Sequence, residues 1–553
     1  MLRAPASAAW TAYAPLAAAL AAVAVYLPSL AGGFLYDDYH ATRAVVRDLH
    51  NLRAILLYEP ARPVLTLSWA INYALAGAAP WAYHLGNVLI HAANAALLCS
   101  LFLWIGQRLG WKESQPRALL GACLFAVSPM AAETVAYVAS RSSALAALFS
   151  LAALRLALPA FAGASRWRLV PAAVAAAMAL GTKEEAAALP LLLLLLDFFC
   201  VAGQRLRETV RRSALHAPFI ALVALGLVAR RLVTGAWLPL AESERGRYLL
   251  TQIAAFPLYL LRALIPVDPA LYRGHPPAAW PPDAGTVVGV LTTLALVTIA
   301  LRIRRARPVW SLSIAWMAAC LAPSSSIAPL TEMVVDHRAY LGTALPCLCL
   351  ATLFRPGRTL LMAGVLVALS GLALRYEWVL AAPARAWEDA VWRAPGSSLV
   401  WRSLGEAYVA QGDEAAAESA LVRATHVDPR DVKSWTNLGV YYTGRGRWPE
   451  AEAAFRRALD LEPAEAQIHE NLALVLRAAG QEAEAINHFE TAIRLAPAMA
   501  APKLDLAAIL LRQGQRARAA ALIDEAARLP LSEQDRLLVA NLRDHLRDDK
   551  SDH

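Results

Sequence analysis

AWTAYAPLAAALAAVAVYLPSLAGGFLYDDY, residues 9–39, joins a long apolar run to an acidic pair. The run 9–31 is long enough to cross a bilayer, for which about 20 residues suffice. Asp37 and Asp38 stand at its exit, at the lipid–water boundary. Two adjacent carboxylates there suit a membrane enzyme that needs a base at the interface. Further apolar segments follow near 84–106, 116–138, 142–162, 168–182, 186–203, 213–229, 248–266, 285–303, 308–329, 337–354 and 359–380. Segment 248–266 holds Arg262 between Pro257 and Pro266, so it is expected to lie in the interface or re-enter. That leaves about 11 crossings. The apolar stretch 62–77 is too short to span and reads as an interfacial helix beside the acidic pair.

Composition agrees. The hydrophobic fraction is 58% and the mean hydropathy is +0.43, values that call for many membrane spans. Residues 1–382 hold 31 Lys+Arg against 17 Asp+Glu, net +14, and residues 383–553 hold 21 against 26, net −5. The basic residues lie in short loops between apolar segments. They therefore read as topology signals, and nucleic acid is not expected as a partner. Clusters at 108–117, 166–168, 205–212, 302–307 and 355–358 mark the cytoplasmic side, which puts the Asp37–Asp38 loop and the C-terminal half outside. Arginine in place of lysine, the alanine excess and the lack of an Asn-x-Ser/Thr site fit a GC-rich bacterial genome and an inner membrane. The six cysteines all fall in apolar segments and read as small buried hydrophobes. The N-terminal run has no evident small-residue cleavage site and reads as an uncleaved anchor.

The C-terminal part carries a repeat. Prolines at 395, 429, 463 and 497 are 34 residues apart, as are glycines at 412, 446, 480 and 514. Trp401, Leu404, Gly405 and Tyr408 fit W-x2-L-G-x2-Y, and Trp435, Leu438, Gly439 and Tyr442 repeat it. Alanines at 417, 451, 485 and 519 and at 424, 458, 492 and 526 supply the close-packing positions of the second helix. This is the tetratricopeptide (TPR) pattern of paired helices. The expected organisation is a polytopic membrane domain over 1–382, a linker with a partial repeat over 383–396, four repeats over 397–532, a capping helix over 533–547 and a tail over 548–553. The fold class is all-α, a membrane helix bundle followed by an α-solenoid.

Ionisable groups in membrane segments point to function. Asp37, Asp38, Glu133, Glu184, Glu185, Glu332 and Asp336 all map to the outer face, and Asp197 alone to the inner side. In YHLGNVLIHAAN (83–94), His84, Asn87, His91 and Asn94 share one helix face. His84 is nearest the outer surface and is the candidate for substrate contact, while the other three suit interhelical hydrogen bonds. Glu133 lies inside a span and Arg141 at its outer end. Arg141 either snorkels to headgroups or recognises a lipid phosphate with its guanidinium fork. GTKEE (181–185) places Lys183 beside Glu184, and TEMVVDHRAYL (331–341) adds His337 and Arg338. There is no zinc-ligand spacing, Walker loop, dinucleotide motif or nucleophile elbow, so no soluble nucleotide cofactor is indicated.

The order FLYDDY, RPV, YHLGNVLIH, SPMAAETVAYVASRSS, GTKEE and DHRAYL, followed by the repeats, resembles the transmembrane-and-tetratricopeptide O-mannosyltransferases (the TMTC family), of the C-type glycosyltransferase superfamily. The resemblance implies a polyprenyl-phosphate sugar as donor and Asp37 and Asp38 as the catalytic acidic motif. It also implies substrate-binding roles for Arg141, His337 and Arg338, although a serine precedes Arg141 and histidine precedes Arg338 where the family has glycine and glutamate. The expected function is inverting transfer of a mannose-like hexose to hydroxyl groups of extracytoplasmic proteins held by the repeats. One aspartate acts as general base and arginine stabilises the leaving phosphate. No metal is required by this scheme, though a carboxylate pair is also a divalent-cation ligand set. The alternatives are transfer to a glycolipid or envelope polysaccharide, and a non-enzymatic scaffold working through its repeats.

Overall fold

Apolar helix length sets the architecture of the first part of the chain. In the computed structural model, which describes residues 8–234, 242–274, 278–327, 334–353, 358–529 and 531–548, every regular element among those residues is helical. The chain divides into two units, Met1–Arg393 and Ala394–His553. The helix Pro383–Arg393, expected as part of a partial repeat, is grouped with the first unit.

Six helices of the first unit are long and apolar enough to cross a membrane: Tyr13–Ala31, Pro80–Arg108, Val138–Phe161, Ser213–Leu232, Ala284–Ile303 and Thr359–Leu380. Ser114–Ala126 and Pro129–Ala136 form a pair bent by 49°, which raises the number to seven if the pair is one span. These mark a membrane bundle, but the count of about 11 crossings is not confirmed. The difference lies in segments that the chain breaks. Residues 168–182 yield only Leu169–Leu180 before Gly181. Residues 186–203 yield Leu189–Leu196, followed by a π turn at Asp197–Val201. Residues 308–329 yield Pro308–Ala322 and a second π turn from Pro323, and residues 337–354 yield Ala344–Leu353. The helix Glu242–Leu264, containing most of the segment expected not to cross, is long enough but too polar to join the six. The short stretch 62–77 forms the helix Pro63–Ala76. Five of the six cysteines are buried, Cys123 is partly so, and all are unpaired.

The second unit is a stack of antiparallel helix pairs, from Ser398–Gln411 with Glu414–Val427 to Ala501–Arg512 with Arg516–Ala527, ending in Glu533–Asp548. The 34-residue glycines Gly412, Gly446, Gly480 and Gly514 all have φ between 69° and 80°, a left-handed turn conformation that costs glycine least. Gly439 is required for another reason: a Cβ there would lie 2.7 Å from the Phe455 ring. The Trp of the motif has a specific bond. Trp401 Nε1 donates to the Pro395 carbonyl at 2.8 Å and Trp435 Nε1 to the Pro429 carbonyl at 3.0 Å. In the third repeat His469 Nε2 takes that place, 3.0 Å from the Pro463 carbonyl. Ion pairs such as Arg477–Asp505 and Arg456–Glu484, each 28 residues apart, stitch neighbouring repeats along the surface.

Phe455 fills the space that Gly439 leaves. Phe455→Ala is expected to destabilise the repeat unit by about 3–5 kcal/mol, the usual cost of emptying a buried aromatic site. Pulse proteolysis of the full chain should show faster cleavage within residues 394–553 and unchanged cleavage of the membrane unit. Equal cleavage of wild type and variant would show that this contact does not hold the stack together.

Candidate functional site

The motifs that stand apart in the sequence interlock pairwise in space, and Arg141 is the centre of the first pair. It begins the helix Arg141–Phe161 and is almost fully buried. Its Nε donates to Asn87 Oδ1 at 2.7 Å and its Nη2 to the Tyr83 carbonyl at 2.7 Å. Its Nη1 donates to Asn72 Oδ1 and, at 3.5 Å, to the Ser68 carbonyl. Gly86 makes room for it, since a Cβ at 86 would lie 2.9 Å from Nη2. Arg141 therefore points into the protein, with its donors engaged by groups of this chain. A guanidinium in this dry setting needs its donors satisfied, and YHLGN together with the helix Pro63–Ala76 satisfies them.

Asp38 is buried in the short helix Tyr36–Thr42. Its Oδ2 accepts from the Leu35 amide at 2.8 Å, and its Oδ1 accepts from the Ala139 amide at 2.6 Å. The acidic loop is thus fastened to VASRSS, with Asp38 among the charges that Arg141 senses. Asp37 lies in the same turn, and its side chain falls outside the described residues, as does the whole of Glu332. His84 packs on Gly32, where a Cβ would come within 3.3 Å of Nε2, so it borders the same loop.

The second pairing joins RPV to GTKEE. Val64 donates its amide to the Gly181 carbonyl at 2.9 Å, and Arg62 pairs with Glu184 at 3.3 Å. Burial alone would raise the Glu184 carboxyl, but Arg62 and Lys183 outweigh it and hold it below the ordinary value. Lys183 bonds Ser143 Oγ at 2.7 Å and Glu185 at 2.8 Å. Beside this junction opens a largely apolar cavity of about 300 Å3, with Pro60, Pro63, Leu180, Leu222 and Leu225 in its wall and Glu184 and Arg230 as its charged members.

The third pairing joins SPMAAETVAY to DHRAYL. Glu133 Oε1 lies 2.7 Å from His337 Nδ1, and no partner is seen for its buried Oε2. Asp336 is held by Arg262 at 3.2 Å, Arg273 at 3.1 Å and the Ala270 amide at 3.1 Å. Arg338 reaches the Tyr248 hydroxyl at 3.5 Å and borders a void of about 20 Å3, room for a water but not for a phosphate. Tyr340 closes the set: its hydroxyl is 2.7 Å from His91 Nδ1 and accepts from Asn94 at 3.1 Å. The polar face of the helix Pro80–Arg108 below His84 is interhelical glue, as its spacing suggested.

The structure brings Asp38, His84 and Arg141 together, and separately Lys183 with Glu184 through their shared turn and Glu133 with His337. The two groups sense one another, for Glu133 has Asp336, Lys183 and Arg273 as electrostatic neighbours. Sequence reasoning missed Asn72, whose role as an acceptor for Arg141 has no local signal. It also missed Glu377, a buried carboxylate with no partner for either oxygen. The signal there was legible, since Glu377 is an ionisable residue within the apolar segment 359–380. Among the described residues no group of three or more His, Cys, Asp or Glu could hold a metal ion.

Comparison with known proteins meets these motifs from the outside. Protein O-mannosyl-transferase TMTC2 of Homo sapiens is 31% identical over 157 residues, 26% of this chain and 18% of that protein. Protein O-mannosyl-transferase TMTC4 of Homo sapiens is 31% identical over 165 residues, 25% of this chain and 22% of that protein. This chain is a relative of the TMTC proteins. The match spans about a fifth of the length of those relatives. The family described as the cilia and flagella-associated protein 70 C-terminal domain matches residues 358–542. Among solved structures, the crystal structure of MamA covers 29% of this chain and 92% of its own, at 20% identity and a TM-score of 0.26.

In this TMTC relative, Arg141→Lys is expected to lower stability, because buried acceptors left unserved cost about 1–3 kcal/mol each. Gly86→Ala should do the same by pushing on Nη2. Thermal unfolding in detergent checks both, and unchanged midpoints in the two variants would remove Arg141 as the clasp of the outer loop.

Proposed function

We propose that the chain is a membrane glycosyltransferase that moves a mannose-like hexose from a polyprenyl-phosphate donor to hydroxyl groups of extracytoplasmic proteins. The observation that carries this reading is the fixed acidic loop: Asp38 is fastened to the turn before Arg141, and the helix Pro63–Ala76 that holds Arg141 through Ser68 and Asn72 begins at Pro63 in the wall of an apolar cavity with charged members. An amphiphilic donor needs both an apolar seat and a polar boundary. The names of the TMTC relatives give the reaction class.

In this mechanism Asp37 is the general base. It removes the acceptor hydroxyl proton as the oxygen attacks the anomeric carbon, and the bond to the lipid phosphate breaks with its electrons leaving on phosphate. The configuration at that carbon inverts. Asp38 acts as a positioning residue, because both of its oxygens already accept backbone amides. Arg141, expected at the leaving phosphate, has its donors engaged within the protein. Arg62 and Arg230, grouped about Glu184, are the cations nearest the cavity. The lipid tail occupies the cavity and its phosphate meets this cationic wall. His337, oriented by Glu133, and His84 border the sugar and acceptor. The loop and the repeats lie on the periplasmic side of a bacterial inner membrane, where the repeats hold a polypeptide acceptor and raise its effective concentration.

Asp37→Asn is expected to lower transfer by about 100-fold or more, the size of a lost general base, with unchanged thermal stability. Asp38→Asn is expected to lower stability as well, because one amide N–H would then face a backbone N–H. Transfer from radiolabelled polyprenyl-phosphate mannose checks the first and thermal unfolding the second. Wild-type transfer in Asp37→Asn and in the double variant would sink the assignment.

Deleting residues 397–553 is expected to leave donor binding and slow donor hydrolysis in place while transfer to intact protein acceptors falls. Repeats contact their neighbours in a linear stack, so their removal should not unravel the bundle. If the truncated enzyme glycosylates intact proteins at the full-length rate, the repeats serve another purpose.

A further inference from the structure

The far end of the bundle carries a second arrangement that the transfer reaction does not use. The helix Pro80–Arg108 runs from His84, beside Gly32, to Arg108, 24 residues on or about 36 Å at the helical rise. Arg108 is an electrostatic neighbour of Cys200, in the π turn Asp197–Val201. This end is therefore remote from Asp38.

Two basic stretches that are about 100 residues apart in sequence meet here. Gln204 donates its side-chain amide to the Arg304 carbonyl at 2.7 Å. That bond sets Arg205 and Arg207 near Arg302, Arg304, Arg305 and Arg307. None of these six arginines has an ion pair with an acidic group among the described residues. The acids of this region are already taken: Glu208 pairs with Arg211, and Asp197 with Arg212 and His216. Between the two stretches the short helix Leu206–Arg211 exposes Leu206 and Val210 as well as its arginines. Its apolar and cationic groups therefore both face outward, the character of an interfacial segment.

A groove rises from the same place. It holds about 310 Å3, a volume typical of small-ligand sites, and its wall includes Phe198, Phe256, Val297, Leu301 and Ile314 with Arg304 as its charged member. Two features open it. The π turn widens the backbone after Leu196, and the small side chains of Ala300, Ala315 and Ala318 leave the space unfilled. An apolar slot with a guanidinium in its wall, beside five further unpaired arginines, matches one type of occupant. It must be an acyl chain that ends in a negatively charged headgroup.

We propose that this groove is a binding site for an anionic glycerophospholipid of the surrounding membrane, one acyl chain lying against Phe198, Val297 and Ile314 and the phosphate held by Arg304 and its neighbours. The site secures the arginine-rich end of the bundle to its leaflet. It is separate from the donor cavity at Pro60–Pro63 and does not depend on the glycosyltransferase reading.

The test uses the full-length protein in mild detergent, with phosphatidylglycerol or phosphatidylcholine added and retained lipid counted by native mass spectrometry. Phosphatidylglycerol should be retained in preference. Arg304→Gln and Arg305→Gln should each weaken retention about fivefold, the effect of one arginine near an anionic surface. Ala315→Phe, which fills the groove and leaves every charge in place, should weaken it too. Arg168→Gln, at a basic site outside the groove, should not. Equal retention of the two lipids, full retention by Ala315→Phe, or an equal loss in Arg168→Gln would each overturn the proposal. So would displacement of phosphatidylglycerol by an equimolar polyprenyl phosphate, since the groove would then belong to the donor.

Discussion

A buried guanidinium governs the end of the membrane unit that carries the acidic loop. Arg141 sits where water cannot solvate it, and leaving one partner of such a group unmatched costs several kcal/mol. Its bonds to Asn87, Asn72, Tyr83 and Ser68 dictate where three helices stand relative to one another. Gly86 has to lack a side chain for the same reason. Because Ala139 is two residues before Arg141 and donates to Asp38, the acidic loop is fixed by the same clasp. The loop's geometry thus rests on a charge that is satisfied within the protein.

The same end explains why so many apolar segments stop short. Non-helical backbone at membrane depth is tolerated only where protein or a water-filled cavity satisfies it. Here the breaks are filled by partners from other motifs. The Gly181 carbonyl accepts from the Val64 amide, the Ser128 carbonyl accepts from the Tyr26 hydroxyl at 2.6 Å, and the Leu341 carbonyl accepts from Trp316 Nε1 at 2.9 Å. Each interruption is therefore both a loss of span and a point of attachment. The motifs that stand out in the sequence are these attachment points.

This decides what could be read in advance. The repeats were fully legible because a 34-residue period states its own structure: each unit meets only its neighbours, and the Trp, Gly and Ala positions repeat the same contacts. The long spans were legible from hydropathy, and the glue role of Asn87, His91 and Asn94 from their spacing. Partner identity was not legible. Arg141 at the mouth of a span looks the same whether it faces a phosphate or an asparagine 69 residues earlier, since only tertiary packing separates the two. The crossing count is not confirmed, because hydropathy averages over a window and does not register a π turn or a glycine break within it. Glu377 differs, as its position inside an apolar segment already marked it.

The charge distribution orders the molecule along the bundle axis. Carboxylates gather at one end, where Arg141, Arg62, Arg262 and Arg273 neutralise them internally. Arginines gather at the other, where six have no acidic partner among the described residues. Glu184 and Asp336 are paired at the first end, while Glu377 and one oxygen of Glu133 are not, so the balance at this end is incomplete. Largely exposed and unpaired, the six arginines at the other end keep a full positive charge, the kind of surface that anionic headgroups attract. The one polypeptide thus separates a region of largely paired charges from one of unpaired arginines by the length of a single helix, Pro80–Arg108.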